Sequence, residues 1–182
     1  MTRTQEVAPA GPELAPSAGI PWPGWPGGRI LIRQAGGGDL GRLRDFLGGL
    51  SAQSRYLRFF AGVPASAAML RVLAGQRPDA DALVATRNGL IIGHAMAVDT
   101  GGPPGAAATE IGVVVADAWQ GRGVGSGLIR ALASRARDRG ATTLVMEVMA
   151  ENRRVLAMIA GRWPDARHDR GGAYVTVHAR LG

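Results

Sequence analysis

Glu110 heads an apolar run, "EIGVVVADAWQGRGVGSGLIRAL", and Gln120, Gly123 and Gly125 follow within it. These residue types in this order suit two kinds of chemistry. A carboxylate at the start of an apolar strand, partly withdrawn from water, can have its pKa raised and take a proton from an incoming nucleophile. Glycines between a strand and a helix leave backbone amides bare. The helix N-terminus beyond them adds unpaired N–H groups and a partial positive charge, so the turn suits a phosphate. Glu147, at the end of a later apolar segment, is a second candidate acid.

Several phosphate-binding and covalent chemistries are closed to this chain. All 21 basic residues are Arg and none is Lys. A Walker-type loop, which needs its Lys on the nucleotide phosphates, is therefore excluded, as is a Schiff base. With no Cys, there is neither a disulfide framework nor a thiol nucleophile. His94, His168 and His178 are not at metal-motif spacing, and each reads as a strand residue; no metal is expected. A dinucleotide fingerprint needs G-x-G-x-x-G or A directly after a strand. Counting from Gly121 the last position is Ser126, and from Gly123 it is Leu128, so the spacing fails. A net charge of +7 invites nucleic acid, but the arginines are dispersed and aromatics make up 5% of the chain. No nucleic-acid partner is expected. The N-terminus lacks the apolar core of a secretion signal and no segment has the length of a membrane span, so the expectation is a cytoplasmic protein without a membrane partner.

The elements that must position these residues follow from periodicity. Residues 1–28 are rich in Pro, Gly and Ala and read as a flexible extension, with Trp22 and Trp25 as its apolar anchors. A domain is expected over 29–182. "RILIRQA" alternates as a strand; Leu40, Leu43, Phe46, Leu47 and Leu50 then recur at helical spacing, with Asp39 placed to cap. Ser51 or Ser54 can cap a second helix carrying Tyr56, Leu57 and Phe60. "ASAAMLRVLAG" is a third short helix. Two strands around Asn88-Gly89 form a tight hairpin. After the Glu110 strand, Val124, Leu128, Ile129 and Leu132 mark one face of a helix that Gly140 ends. "TTLVMEVM" is a strand, "ENRRVLAMIAG" a helix with Val155, Met158 and Ile159 inward, and the C-terminus a hairpin about Gly171-Gly172. The fold class is α/β (α+β) with a mixed, mostly antiparallel sheet.

Gln120-x-x-Gly123-x-Gly125, set between a long apolar strand and an amphipathic helix, resembles the pyrophosphate-binding motif of the GNAT superfamily of acetyl-CoA-dependent N-acetyltransferases. The resemblance covers roughly residues 29–182 and is densest over 108–160. It implies a sheet splayed around acetyl-CoA, with the diphosphate on Gln120, Gly121, Arg122, Gly123, Val124, Gly125 and Ser126. It also implies that the pantetheine arm bonds to the backbone of Val113, Val114 and Val115, and that Asn152 lies near that arm. Glu110 then matches the general base of protein-acetylating members. Such a base is useful because only about one lysine side chain in two thousand is uncharged at neutral pH. The Tyr that many members carry seven residues after the Asn is replaced by Ile159, so no general acid is assigned.

The stretch "LSAQSRYLRFF" is similar to one in bacterial protein-lysine acetyltransferase domains, which makes protein lysine the leading acceptor. In that reading Arg55, Tyr56 and Arg58 build the acceptor wall or contact CoA phosphates; alternatively, Tyr56 and Phe59 pack the helix and the arginines are solvated. Two other functions stay open: transfer to a small-molecule amine, and an acetyl-CoA-binding sensor that no longer catalyses.

Overall fold

The computed structural model describes residues 30–60, 66–102 and 107–182, and the backbone of residues 20–21. The extension expected over 1–28, with Trp22 and Trp25, therefore lies outside the described residues apart from that short piece. Chain order begins with β1 (Ile20–Pro21), β2 (Leu31–Gln34), α1 (Leu40–Gly48), α2 (Ala52–Phe59), α3 (Ala67–Leu73), β3 (Ala80–Arg87), β4 (Leu90–Gly101) and β5 (Ala108–Val115). It continues with α4 (Val124–Asp138), β6 (Thr143–Met149), α5 (Arg153–Arg162), β7 (Arg167–Gly171) and β8 (Tyr174–Arg180). The strands form one sheet in the order β1-β2-β3-β4-β5-β6-β8-β7. All pairings are antiparallel except β5 with β6. The mixed, mostly antiparallel sheet read from the sequence is what forms.

Each face of the sheet has its own core. Leu128, Leu132, Ala133 and Ala136 of α4, with Ile159 of α5, pack on Leu83, Ile92, Leu144 and Val177. Gly93 lets α4 come close, because a Cβ there would stand 3.0 Å from Leu128 and 3.2 Å from Val124. On the opposite face Leu43, Phe46 and Leu47 of α1 and Leu70 and Leu73 of α3 cover Val84, Ile91 and Val114. Strands β3 and β4 are consequently buried on both sides, which is why they read as continuous apolar runs. Asn88 and Gly89 join them with φ of 49° and 79°, the left-handed pair a two-residue hairpin requires.

Two capping expectations resolve differently. Ser51 caps α2 by accepting from Ser54 N at 3.1 Å. Asp39 occupies the N-cap of α1 but makes no side-chain cap bond to it. Its carboxylate instead takes two 2.7 Å bonds from Arg33 and one of 3.1 Å from Gly36 N. The Arg33 guanidinium accordingly holds the Asp39 carboxyl below the usual range. An ion pair with β2 outcompetes the helix amides because charge-assisted bidentate bonds are the stronger kind.

The feature that matters for function is a fork. Strand β5 pairs with β4 along its whole length, to Val115. It pairs with β6 only through Ala108, Thr109 and Glu110, opposite Thr143, Leu144 and Val145. Strand β6 keeps its partner β8 as far as Met149. Beyond Glu110 the two strands part, and the β6-facing backbone of Ile111–Val115 is left without a ladder partner.

Candidate active site

The gap between the parted strands is a cavity of about 470 Å³. Its lining includes Glu110, Val113, Val114, Val115, Gln120, Gly121, Gly123, Gly125, Ser126 and Asn152, ten of the residues singled out from the sequence. Glu147 lines it from β6. Glu110 stands at the fork and is exposed to solvent. On β5 the side chains alternate: Ile111 joins the α4 core, with Val113 and Val115 packed against that core, while Val114 joins the α1 and α3 core. By that alternation Glu110, Gly112 and Val114 share the face below α1–α3.

At the far end of the cavity the chain prepares for an anion. Gly121 and Gly123 have φ of 74° and 83°, which L side chains rarely adopt, and Gly123 is the N-cap of α4. The first amides of α4 have no intrahelical acceptor and face this turn. Gly125 is needed less for its backbone, since a Cβ there would meet Val115 at an ordinary 3.5 Å. Val124 and Arg122 are placed differently from the rest. The Val124 side chain is buried against Gly93 in the α4 core, so only its backbone remains for the turn. The Arg122 guanidinium lies over the Trp119 ring, 5.3 Å from its centroid, and Arg122 is not among the lining residues. A residue the sequence did not single out takes that place: Arg154, in the first turn of α5, brings a terminal nitrogen over Gly121 so closely that a Cβ there would clash. Asn152 caps α5, accepting from Val155 N at 3.3 Å, while still lining the cavity.

Gln120 is tied into a side-chain network. Its Nε2 donates to Ser54 Oγ at 3.0 Å and to the Val115 carbonyl at 3.2 Å. The Ser54 and Ser51 hydroxyls donate to Asp117 Oδ1 at 2.8 and 2.7 Å, and Ser51 N donates to Oδ2 at 3.0 Å. These bonds, led by the Ser51 backbone amide, lower the Asp117 pKa to about 2. They pin the start of α2 to the glycine turn, which accounts for the serine spacing of "LSAQSRYLRFF".

That anchorage lays α2 beside β5, along one wall of the cavity. Arg55 does not reach the cavity: it donates to the Leu50 carbonyl at 2.6 Å and closes the end of α1. Tyr56 is exposed. Phe60 meets Tyr174 of β8 with ring centroids 6.5 Å apart, a contact between α2 and the far half of the sheet. Arg58 alone of the three polar residues enters the cavity, where its guanidinium lies against Gly112. Ile159, at the position where a tyrosine was sought, is buried in the core. Among the described residues no cluster of three His, Asp or Glu is placed to hold a metal ion, and no helix is long and apolar enough to cross a membrane.

Comparison with known proteins agrees with this geometry. The family model of GNAT acetyltransferases matches residues 52–160. The GNAT domain of S. lividans PAT is similar at 30% identity and a TM-score of 0.75, covering 85% of this chain and 92% of that one. A cAMP-binding acyltransferase from Mycobacterium smegmatis, in a mutant form, is similar at 25% identity and a TM-score of 0.60; the match covers 91% of this chain and about half (48%) of the other. Ribosomal-protein-alanine N-acetyltransferase from Brucella melitensis shares the fold at 21% identity, with a TM-score of 0.63 and coverage of 82% and 98%. No curated protein matches the chain in sequence. The chain belongs to the GNAT acetyltransferase family and is an acyltransferase, and that family uses acetyl-CoA as co-substrate.

Proposed function

We propose that this protein transfers acetyl from acetyl-CoA to the side-chain amine of lysine in a protein acceptor, with Glu110 as general base. The observation that carries the reading is the position of Glu110 at the fork, the last β5 residue paired with β6. A thioester lying in the gap reaches its narrow end there, and an amine approaching from the α2 side meets the carboxylate first. The similarity to the GNAT domain of a PAT supports protein lysine as acceptor.

In this reading the transferase unit spans 29–182, with 1–28 an extension outside it. The amides of Gly121–Ser126, held open by the positive φ of Gly121 and Gly123, receive the diphosphate together with Arg154. The β6-facing backbone around Val113, Val114 and Val115, apart from the Val115 carbonyl that accepts from Gln120, bonds the pantetheine arm as an added strand would, and Asn152 borders it. Glu110 takes the ammonium proton, directly or through a water, and the neutral nitrogen attacks the thioester carbon. The C–N bond forms, the C–S bond breaks, and CoA leaves as thiolate, whose pKa near 8.5 allows departure without a protein acid.

The test is CoA release from acetyl-CoA, offered a lysine-bearing protein extract or a panel of small amines, for wild type and Glu110→Gln. The expected outcome is release with the extract, lowered about 100-fold or more in the variant at pH 7 and partly restored at higher pH, where lysine deprotonates unaided. Release only with small amines moves the acceptor class. Tight acetyl-CoA binding without release from any acceptor leaves a sensor.

A further inference from the structure

Arg58 has no ordinary reason to be where it is. Its Nε is enclosed from solvent without a hydrogen-bond partner, and none of its N–H groups donates to another described residue. Among the described residues no carboxylate forms an ion pair with it within 4 Å, although Glu110 is near enough to act on it electrostatically. The guanidinium carbon rests 5.0 Å from the Phe59 ring centroid and flat against Gly112, where a Cβ would fall 2.4 Å from it. Buried His94, whose Nε2 bonds the Leu73 carbonyl at 2.8 Å, is the other titratable group it influences.

A guanidinium that lines the cavity with its Nε enclosed and unpaired is costly, and a methionine of similar length would pack there at lower cost. An unpaired, enclosed Nε beside terminal N–H groups that face the cavity suits an acceptor that enters it. The cavity that Arg58 lines limits the choice. Gly112 lies between Glu110, where an amine would shed its proton, and the β6-facing backbone of Val113–Val115. The group between those two places during transfer is the thioester carbonyl. A resident substrate carboxylate would instead stand beside Glu110 as a like charge. A carbonyl oxygen is neutral before attack and negative during it, so a fixed, partly desolvated cation stabilises the transition state far more than the ground state.

We propose that Arg58 is a catalytic residue that donates its terminal N–H groups to the acyl carbonyl oxygen and holds the oxyanion formed when the amine attacks. The nitrogen lone pair forms the C–N bond, the carbonyl π pair moves to oxygen beside the guanidinium, and its return expels the thiolate. Gly112 is the residue that leaves room for this donor, which makes the two positions one device. The proposal rests on acetyl transfer and on Glu110 marking the amine's approach, and is indifferent to which amine is used.

The experiment is steady-state kinetics on the full chain with whichever acceptor wild type turns over, for Arg58→Lys, Arg58→Met and Arg58→Ala. It is accompanied by calorimetric acetyl-CoA affinity and by melting temperature. We expect kcat to fall about 100- to 1,000-fold in Met and Ala, less in Lys, with KM for both substrates and acetyl-CoA affinity within about threefold. Added guanidinium should restore part of the Arg58→Ala rate in a saturable way. A rise in acceptor KM at unchanged kcat would assign Arg58 to acceptor binding and overturn the proposal. So would unchanged kinetics, or a rate loss that tracks lost affinity or melting temperature and is not rescued. A wild type that turns over small amines but no protein corrects the acceptor assignment and leaves this test intact. A rate insensitive to Glu110→Gln removes the base while the Arg58 series still reads the oxyanion.

Discussion

Two charged centres in this molecule are treated in opposite ways. Asp81 on β3 is buried, its side chain 5% exposed, and its carboxylate is fully engaged. Arg135 donates to it through Nε and Nη2, Arg139 adds a 2.7 Å bond, and Arg139 also reaches Asp99 on β4. Arg58 is a charge of opposite sign whose Nε has no hydrogen-bond partner and which makes no ion pair among the described residues. The Asp81 centre is closed and clamps the last turns of α4 to the sheet. The Arg58 centre is left open on the wall of the cavity. A closed centre serves the fold, whereas an open one spends stability for the sake of something that arrives later.

The largest expected effect comes from breaking the closed centre. Asp81→Ala leaves Arg135 without its acceptor and Arg139 with Asp99 alone, and should cost about 3 kcal/mol, or roughly 10 °C in melting temperature, with kcat measured below the transition unchanged. Thermal melts beside kinetics separate the two. The Arg58 variants should show the reverse pattern, and a shared pattern would dissolve the contrast.

Acid probes the surroundings of the open centre. Burial, with Arg58 nearby adding to it, pushes the His94 pKa down to about 4 from an unfolded value near 6.5. The neutral ring's contribution is complete above pH 6.5 and is lost as pH falls through 4, because protonation would place a charge in a fully buried site, with Arg58 nearby adding to the cost. Stability should therefore drop by up to about 3 kcal/mol over that window. His94→Gln should flatten the slope in denaturant melts run across pH 4–7. An unchanged slope would show that ring titration is not its source.

A smaller effect sharpens the contrast from the glycine side. Gly112→Ala cannot coexist with the guanidinium at its present place, so the kcat of the alanine protein should fall about 30-fold, toward that of Arg58→Met, while acetyl-CoA affinity holds. Rates equal to wild type would mean the cation relocates without consequence. Smallest is Arg154→Ala, which removes one charge from the glycine turn and should raise KM for acetyl-CoA about tenfold with kcat nearly unchanged.

The order of elements was legible in the sequence because periodicity, caps and glycine turns are local. Gly140, the Asn88-Gly89 hairpin and the α4 stripe needed no tertiary information. The glycine turn that lines the cavity was also legible, since Gly121 and Gly123 stand between a strand and a helix and have the positive φ that glycine permits. The wall that α2 contributes was not. Arg55, Tyr56 and Arg58 look alike in a row, and only the docking of α2 decides which enters the cavity. That docking depends on Asp117, far away in sequence, receiving Ser51 and Ser54. Asp39 misled for a related reason: a capping acid and an ion-pairing acid share one sequence position, and Arg33 settled the competition. Arg154 carried no local signal, as its meaning lies in the proximity of α5 to Gly121.

The fork has a mechanical consequence for the whole protein. Five strands lie on one side of it and three on the other, and only three β5 residues carry the ladder across. A ligand that bonds the bare backbone of β5 acts as a missing rung, so that substrate becomes for a time part of the framework. At a free concentration 100 times its dissociation constant such a rung adds about 2.7 kcal/mol. The sheet is thus two parts on a short seam, and on the proposed reading the substrate that is cleaved would also be what stitches them together.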